Sequence, residues 1–434
     1  PRNSTKFSAT IILPADPITL NFVSALHPVL LPMKSSATAL LAFTACALLA
    51  AAALNAATDP GYKRLELSNE FFSEGATFAD INQDGQMDVV SGPYWYAGPD
   101  FKTRHEIYPA KAFDPLVYSD NFLSFTHDFN SDGWPDVLVL GFPGVDASWY
   151  ENPGKDGGVW RRHVVFLPVD NESPTFGDLL GKGQPVLICM SDHRLGYAVP
   201  NPKDPNRPWV FHAATAAKPA WNRFTHGLGF GDINGDGRND LLTTEGWWEQ
   251  PASLAGDPEW AFHPFPFTTK GGAHMLVTDV NGDGLADVVT SKYAHGYGLS
   301  WFEQVRATDG AITFKEHVIL SEKPDEKISG VQFSQLHALL LADVDGDGIP
   351  DIVTGKRWWA HGPKGDVDPM GTPVLYAFLT RRAADKSVTF EPRLIDDASG
   401  IGTQVMAADI NGDGKPDFLV GNKRGTFLLR SAKK

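Results

Sequence analysis

The sequence predicts an all-β fold, a seven-bladed β-propeller of four-stranded blades. Three observations carry that prediction. First, an acidic loop close to Asp-x-Asn-x-Asp-Gly-x-x-Asp recurs, starting at Asp80, Asp128, Asp232, Asp279, Asp343 and Asp409. A weakened copy starts at Asp178, where Leu180 and Lys182 replace two oxygen-bearing residues. Second, the spacings between copies are 48, 50, 54, 47, 64 and 66 residues, periods that belong to propellers and solenoids. Third, short apolar runs flank the loops, and the two ends of the repeat region complete one another.

Each unit reads as four strands in order. The first leads into the acidic loop, as in Phe224 to Gly231. The second leaves it as a short apolar run, as in Asp240 to Thr244, Asp287 to Thr290 or Asp351 to Thr354. A glycine- and aromatic-rich turn precedes the third, for example Ser148 to Glu151 or Leu299 to Glu303. The fourth opens on an aromatic residue with basic residues behind it, as in Trp160 to Val165 and Phe314 to Ile319. Four strands in seven copies describe a closed propeller. After the last loop only Phe418 to Gly421 and Thr426 to Leu429 remain, so Tyr62 to Leu67 is expected to complete the last blade and hide its edge.

The loop itself has the chemistry of a calcium site. Oxygen-bearing side chains at alternate positions point inward from a tight turn, a glycine permits the turn, and a carboxylate closes the shell. The expected ligands are Asp80, Asn82, Asp84 and Asp88, then Asp128, Asn130, Asp132 and Asp136, and then Asp232, Asn234, Asp236 and Asp240. Asp279, Asn281, Asp283 and Asp287 follow, then Asp343, Asp345, Asp347 and Asp351, and finally Asp409, Asn411, Asp413 and Asp417. Up to six structural Ca2+ ions follow from these loops. An EF-hand is excluded, because it needs a glutamate at position twelve and flanking helices.

Composition bounds the rest. A chain of 434 residues with 42 glycines, 32 prolines and 11% aromatics suits many short strands joined by turns. The net charge of −15 argues against nucleic acid and anionic membrane as partners. Residues 1–57 read as an upstream extension and a signal peptide. Met33 to Ala57 has a charged start at Lys34, an apolar stretch from Leu40 to Leu54 and a small-residue end. The stretch is short and alanine-rich for a membrane span, so a secreted or periplasmic protein is expected, with the propeller in residues 58–434. Cys46 falls in the leader, which leaves Cys189 as one thiol without an internal disulfide.

The repeat resembles the FG-GAP and VCBS-type repeats of secreted bacterial proteins and of the integrin α-subunit propeller. That resemblance implies that each acidic loop joins the first and second strands of a blade, at one end of the disc. The segments Thr244 to Glu249, Ser291 to Gly296 and Gly355 to Gly362 look more narrowly like the propeller of aldos-2-ulose dehydratase and its bacterial relatives. This second likeness implies removal of water from keto-sugars.

The histidines sort by position. His105, His163, His212, His263 and His317 occupy equivalent places in fourth strands, which favours a repeated structural role. His226, His274 and His337 start first strands, five or six residues before their loop's first aspartate. His193, His295 and His361 lie in turns between second and third strands, whereas His127 sits beside a loop. First strands run towards the loops, so these six histidines gather at the opposite mouth with Glu245, Lys292, Tyr293, Lys356 and Arg357. His226, His274 and His337 would make a second divalent-metal site there. The catalytic candidates are His226, His274, His337, Glu245, Lys292, Tyr293, His295, Lys356, Arg357 and His361. Imidazole and phenol suit proton transfer, and cations suit a developing enolate. The expected partner is a carbohydrate or a sugar-derived small molecule, and the expected activity is a carbon–oxygen lyase. The alternative is a non-catalytic carbohydrate- or protein-binding propeller.

Overall fold

A computed structural model describes residues 61–201 and 203–432; the signal-peptide reading of Met33 to Ala57 lies outside them. Twenty-eight strands and one 3-10 turn make up the described chain. They form five separate four-stranded antiparallel sheets and one eight-stranded sheet, an all-β propeller of four-stranded blades. The blade count is less plain than the seven expected. In the eight-stranded sheet two meanders are joined side by side, where Leu228 and Gly229 pair in parallel with His274 and Met275. Gly229 permits that approach: a Cβ there would lie 2.0 Å from the Met275 carbonyl oxygen.

Within each unit the second strand is the most enclosed. Asp136–Leu140, Asp240–Thr243, Asp287–Ser291 and Asp351–Gly355 are buried along their whole length. Neighbouring sheets cover both faces, so these strands carry continuous apolar runs rather than an alternating pattern. Outer strands are more exposed, and Arg104–Glu106 is exposed throughout. Some first strands are shorter than the sequence pattern implied. The strand expected over Phe224 to Gly231 begins at Leu228, because Gly227 takes a φ of 82° that ends extended backbone before it. The strand Tyr62–Ser68 pairs antiparallel with Gly425–Ser431, so the first and last strands share a sheet and that sheet edge is covered.

The acidic loops hold strands together through their last aspartate. Asp88, Asp136, Asp240, Asp287, Asp351 and Asp417 are fully buried. One Asp240 oxygen accepts the Ile233 N–H at 2.9 Å and the other accepts the Gln250 N–H at 2.9 Å. Asp136 does the same for Phe129 and Asn152, and Asp351 for Val344 and Thr380. Each carboxylate thus ties its own loop to the third strand or the residue just after it. The first aspartate shapes the turn, as Asp232 accepts the N–H groups of Asp236 and Gly237. The weakened copy keeps this feature, with Lys182 and Gly183 donating to Asp178.

The five outer-strand histidines pack as a repeated device. Trp95, Trp149, Tyr197, Trp247 and Trp301 stand opposite His105, His163, His212, His263 and His317. The ring pairs are stacked with centroids 4.2, 4.2, 5.2, 3.9 and 4.3 Å apart. Glu151, Glu249 and Glu303 bind the Nε2 atoms of His163, His263 and His317 at 2.8, 3.0 and 2.7 Å. Directly opposed aromatic pairs are the unit of sheet stabilisation, and the acid orients each imidazole.

Candidate functional site

First strands run towards the acidic loops, so the residues just before them crowd around the other mouth of the channel. Counting back six residues from each loop's first position gives Glu74 (80 − 6), Phe122 (128 − 6), Glu172 (178 − 6), His226 (232 − 6), Ala273 (279 − 6), His337 (343 − 6) and Thr403 (409 − 6). Three of these meet. Glu172 Oε2 lies 3.3 Å from His226 Nε2 and 3.1 Å from His337 Nε2. A fourth member, His295, comes from the turn after a second strand and brings its Nε2 to 2.9 Å from His226 Nε2. The ligand atoms of Glu172, His226, His295 and His337 all lie within 4.8 Å of one another.

Hydrogen bonds and burial set how these rings are presented. His226 Nδ1–H donates to the Phe224 carbonyl at 2.8 Å, which turns Nε2 towards Glu172. His337 is fully buried, and burial together with the Arg357 guanidinium holds its pKa well below the usual imidazole range. Burial lowers His295 as well. Burial would raise Glu172, but hydrogen bonds with His226 and His337 outweigh it and keep the carboxylate ionised. Asp366, nearly buried itself, faces His295 Nδ1 at 3.5 Å. Its Oδ1 also binds His361 Nδ1 at 2.7 Å, and its Oδ2 accepts the His361 backbone N–H at 2.8 Å.

Around this cluster stand a buried ion pair and an aromatic wall. Arg357, 1% exposed, donates from Nη2 to Glu74 at 2.6 Å, while its Nη1 has no partner. Lys423 Nζ lies 4.2 Å over the Tyr118 ring and donates to the Ala360 carbonyl at 3.1 Å. Burial lowers the Lys423 pKa to about 8 and raises that of the Tyr118 phenol to about 12. Rings of His361, Tyr118, Phe142 and Phe224 follow one another at 6.3, 4.9 and 5.8 Å.

The expected residues divide accordingly. His226, His295, His337, His361 and Arg357 are brought together, and the Tyr293 ring sits beside His295 at 6.2 Å. The expected trio of His226, His274 and His337 is corrected. His274 lies five residues before its loop (279 − 5), one short of the others, and successive strand side chains face opposite ways. It lines the apolar channel with Leu228, Met275 and Leu339; burial pushes its pKa down to about 4, and its Nδ1 has no partner. Glu245 leaves the site to pair with Lys218, and Lys292 pairs with Glu316 at 2.8 Å. Lys356 is buried, donates to Ser334 Oγ at 3.3 Å and lines a neighbouring cavity with Asp368; burial lowers its pKa to about 8. Glu172, Glu74 and Asp366 were missed as candidates. The six-residue count would have found the first two, whereas Asp366 lies in a turn whose path no periodicity signals.

Comparisons with known proteins agree with the repeat. Residues 279–354 match the FG-GAP-like repeat and residues 401–431 match the FG-GAP repeat, so the chain carries FG-GAP repeats. A search of curated proteins found no match. Among solved structures, the chain is similar to an Agrocybe aegerita lectin structure described as recognising non-reducing terminal N-acetylglucosamine. Identity is 16% over 84% of this chain and 87% of that one, with a TM-score of 0.43. It is also similar to an auxiliary nutrient binding protein from Bacteroides ovatus, at 10% identity over 85% and 77% with a TM-score of 0.44. A third is BBS1N in complex with ARL6DN, at 8% identity over 85% and 95% with a TM-score of 0.48. Among the described residues no helix is long and apolar enough to cross a membrane.

Proposed function

We propose that this chain is an exported, calcium-stabilised propeller whose mouth holds one divalent transition metal and eliminates water next to the carbonyl of a keto- or anhydro-sugar. The eight-stranded sheet then counts as two blades, which makes seven. Calcium is supported by the loop chemistry: oxygens of Asp343, Asp345 and Asp351 approach within 4.8 Å of one another. Burial also pushes Asp136 and Asp240 up to about 7, and a bound dication relieves that cost of ionisation. Export rests on the leader-like segment from Met33 to Ala57.

One observation carries the metal: the convergence of Glu172, His226, His295 and His337. Nitrogen and oxygen ligands at ~2.0–2.1 Å from a tetrahedral ion stand about 3.3 Å apart, and three pairs in this set are separated by 2.9, 3.1 and 3.3 Å. Three imidazoles and one carboxylate suit zinc or a neighbouring first-row metal. Held by these four residues, such an ion would supply Lewis-acid polarisation of a substrate carbonyl. His361, oriented by Asp366 and 52% exposed, is placed to take the α-proton. The C–H electrons become the C=C bond, the β C–O bond breaks, and the departing hydroxyl leaves as water after protonation by Lys423 or Tyr118. The sugar's C–H face lies against Tyr118, Phe142 and Phe224.

The test is to load the protein with metal, incubate it with keto-sugars and follow enone absorbance. Turnover is expected, and its loss in Glu172→Gln and His337→Ala; equal turnover in both variants overturns the assignment. The exposed part of the aromatic wall, with Phe224 41% exposed, favours a second reading, a sugar-binding propeller without chemistry. Saturable sugar binding with no product, lost in Phe224→Ala, would select it.

A further inference from the structure

The outer-strand stacks share one register and differ in the acid that meets the histidine. Trp149, Trp247 and Trp301 are each followed two residues later by the glutamate that binds the facing histidine. His212 instead finds Asp257, at 2.6 Å. In the first sheet, Trp95 and His105 keep the register and the stack, but the residue two places after Trp95 is Ala97. Among the described residues no acid replaces the missing glutamate at His105.

The place of that acid is open. A cavity of about 410 Å³ lies there, lined by Trp95, Arg104, His105, Glu106, Asn152 and Trp160. Its volume falls in the ~300–1,000 Å³ range of small-molecule sites. Ile81 and Asn82 of the first acidic loop also line it, which places it at the loop end of the propeller, away from the histidine mouth. Gly157 and Gly158 form one wall, and a Cβ at Gly157 would meet nothing within 4 Å. Of the polar groups, Arg104 lies 4.2 Å over the Tyr94 ring on the other face of its strand, and Glu106 accepts the Ala110 N–H at 3.1 Å, so His105 is the group that faces the cavity beside Trp95.

We propose that this cavity binds a monosaccharide-sized ligand carrying a carboxylate, such as a uronic acid, whose acid takes the position that glutamate holds in the sister sheets. The ligand carboxylate accepts from the free imidazole nitrogen of His105. Trp95 and Trp160 supply apolar surface for the C–H face of the ring. This site is independent of the metal at the mouth.

Ligand-observed NMR and calorimetry with glucuronate, and glucose as its neutral counterpart, test the proposal on the calcium-loaded chain. Glucuronate should bind more tightly than glucose by about ten- to hundredfold, the size of one charge-assisted hydrogen bond. Ala97→Glu rebuilds the sister arrangement from within, so it should keep the fold and remove glucuronate binding. His105→Phe keeps the stack and should weaken binding by a similar factor. His226→Ala should leave it unchanged. Equal binding of both sugars, no saturable binding, or glucuronate binding that survives Ala97→Glu but fails in His226→Ala would each overturn the proposal.

Discussion

Replacing Asp240 with alanine separates the strand-tying seen in the acidic loops from the cation binding proposed for them. Both Asp240 oxygens are buried, and they accept the Ile233 and Gln250 N–H groups at 2.9 Å each. Alanine strands both donors, at about 1–3 kcal/mol each, so the expected loss is about 4 kcal/mol. For the roughly 370 described residues unfolding as one unit, the unfolding entropy is about 0.8 kcal/mol/K, and the loss lowers Tm by ~5 °C. Asp236 is the control. It is exposed and binds within its own loop, accepting the Arg238 N–H, so Asp236→Ala should remove cation affinity and little else. Scanning calorimetry in calcium and in excess chelator distinguishes them. The Asp240→Ala deficit should persist in chelator, whereas the Asp236→Ala deficit should vanish there, because a ligand bound only to the native state adds its stability by mass action. If Asp240→Ala and the parent protein coincide in chelator, the strand-tying role is refuted.

Three further outcomes follow from buried groups. Burial lowers the folded pKa of His274 to about 4, so below pH 6.5 the unfolded chain binds a proton that the folded one refuses. Stability is therefore lost as pH falls from 6.5 towards 4, by up to about 3 kcal/mol; His274→Gln should flatten that part of a Tm-against-pH curve. Glu74→Ala leaves Arg357 buried without its partner and should cost about 3–5 kcal/mol in urea unfolding, most of it recovered in Glu74→Ala/Arg357→Met. Asp366→Asn weakens the support of His295 and should lower metal affinity about 10–100-fold by competition with a chromophoric chelator, without abolishing binding.

The fold was legible because its signal repeats. Six intact loops announce the strands on either side of them, and Tyr62 to Leu67 betrayed its place by matching other fourth strands. The fusion of two meanders through Leu228 and His274 was not legible, since it depends on two backbones meeting over Gly229. At the mouth, histidines stood out because they are rare, and five of the proposed residues do converge. Glu172 and Glu74 did not stand out, because an acid in a turn looks like any solvated loop residue. Their position six residues before a loop carried the information that their identity hid. His274 failed by one residue, since a single step along a strand turns a side chain to the other face. Glu245 and Lys292 found partners nearer to hand, in Lys218 and Glu316.

The central claim is that Glu172, His226, His295 and His337 hold a metal. Elemental analysis of protein loaded with zinc, manganese or cobalt, then dialysed against a calcium-selective chelator, tests it most directly. One equivalent of transition metal should remain on the parent protein and be lost in His226→Ala and His337→Ala, with both variants still folded. Parent protein that retains no transition metal, or variants that retain as much as the parent, would contradict the account.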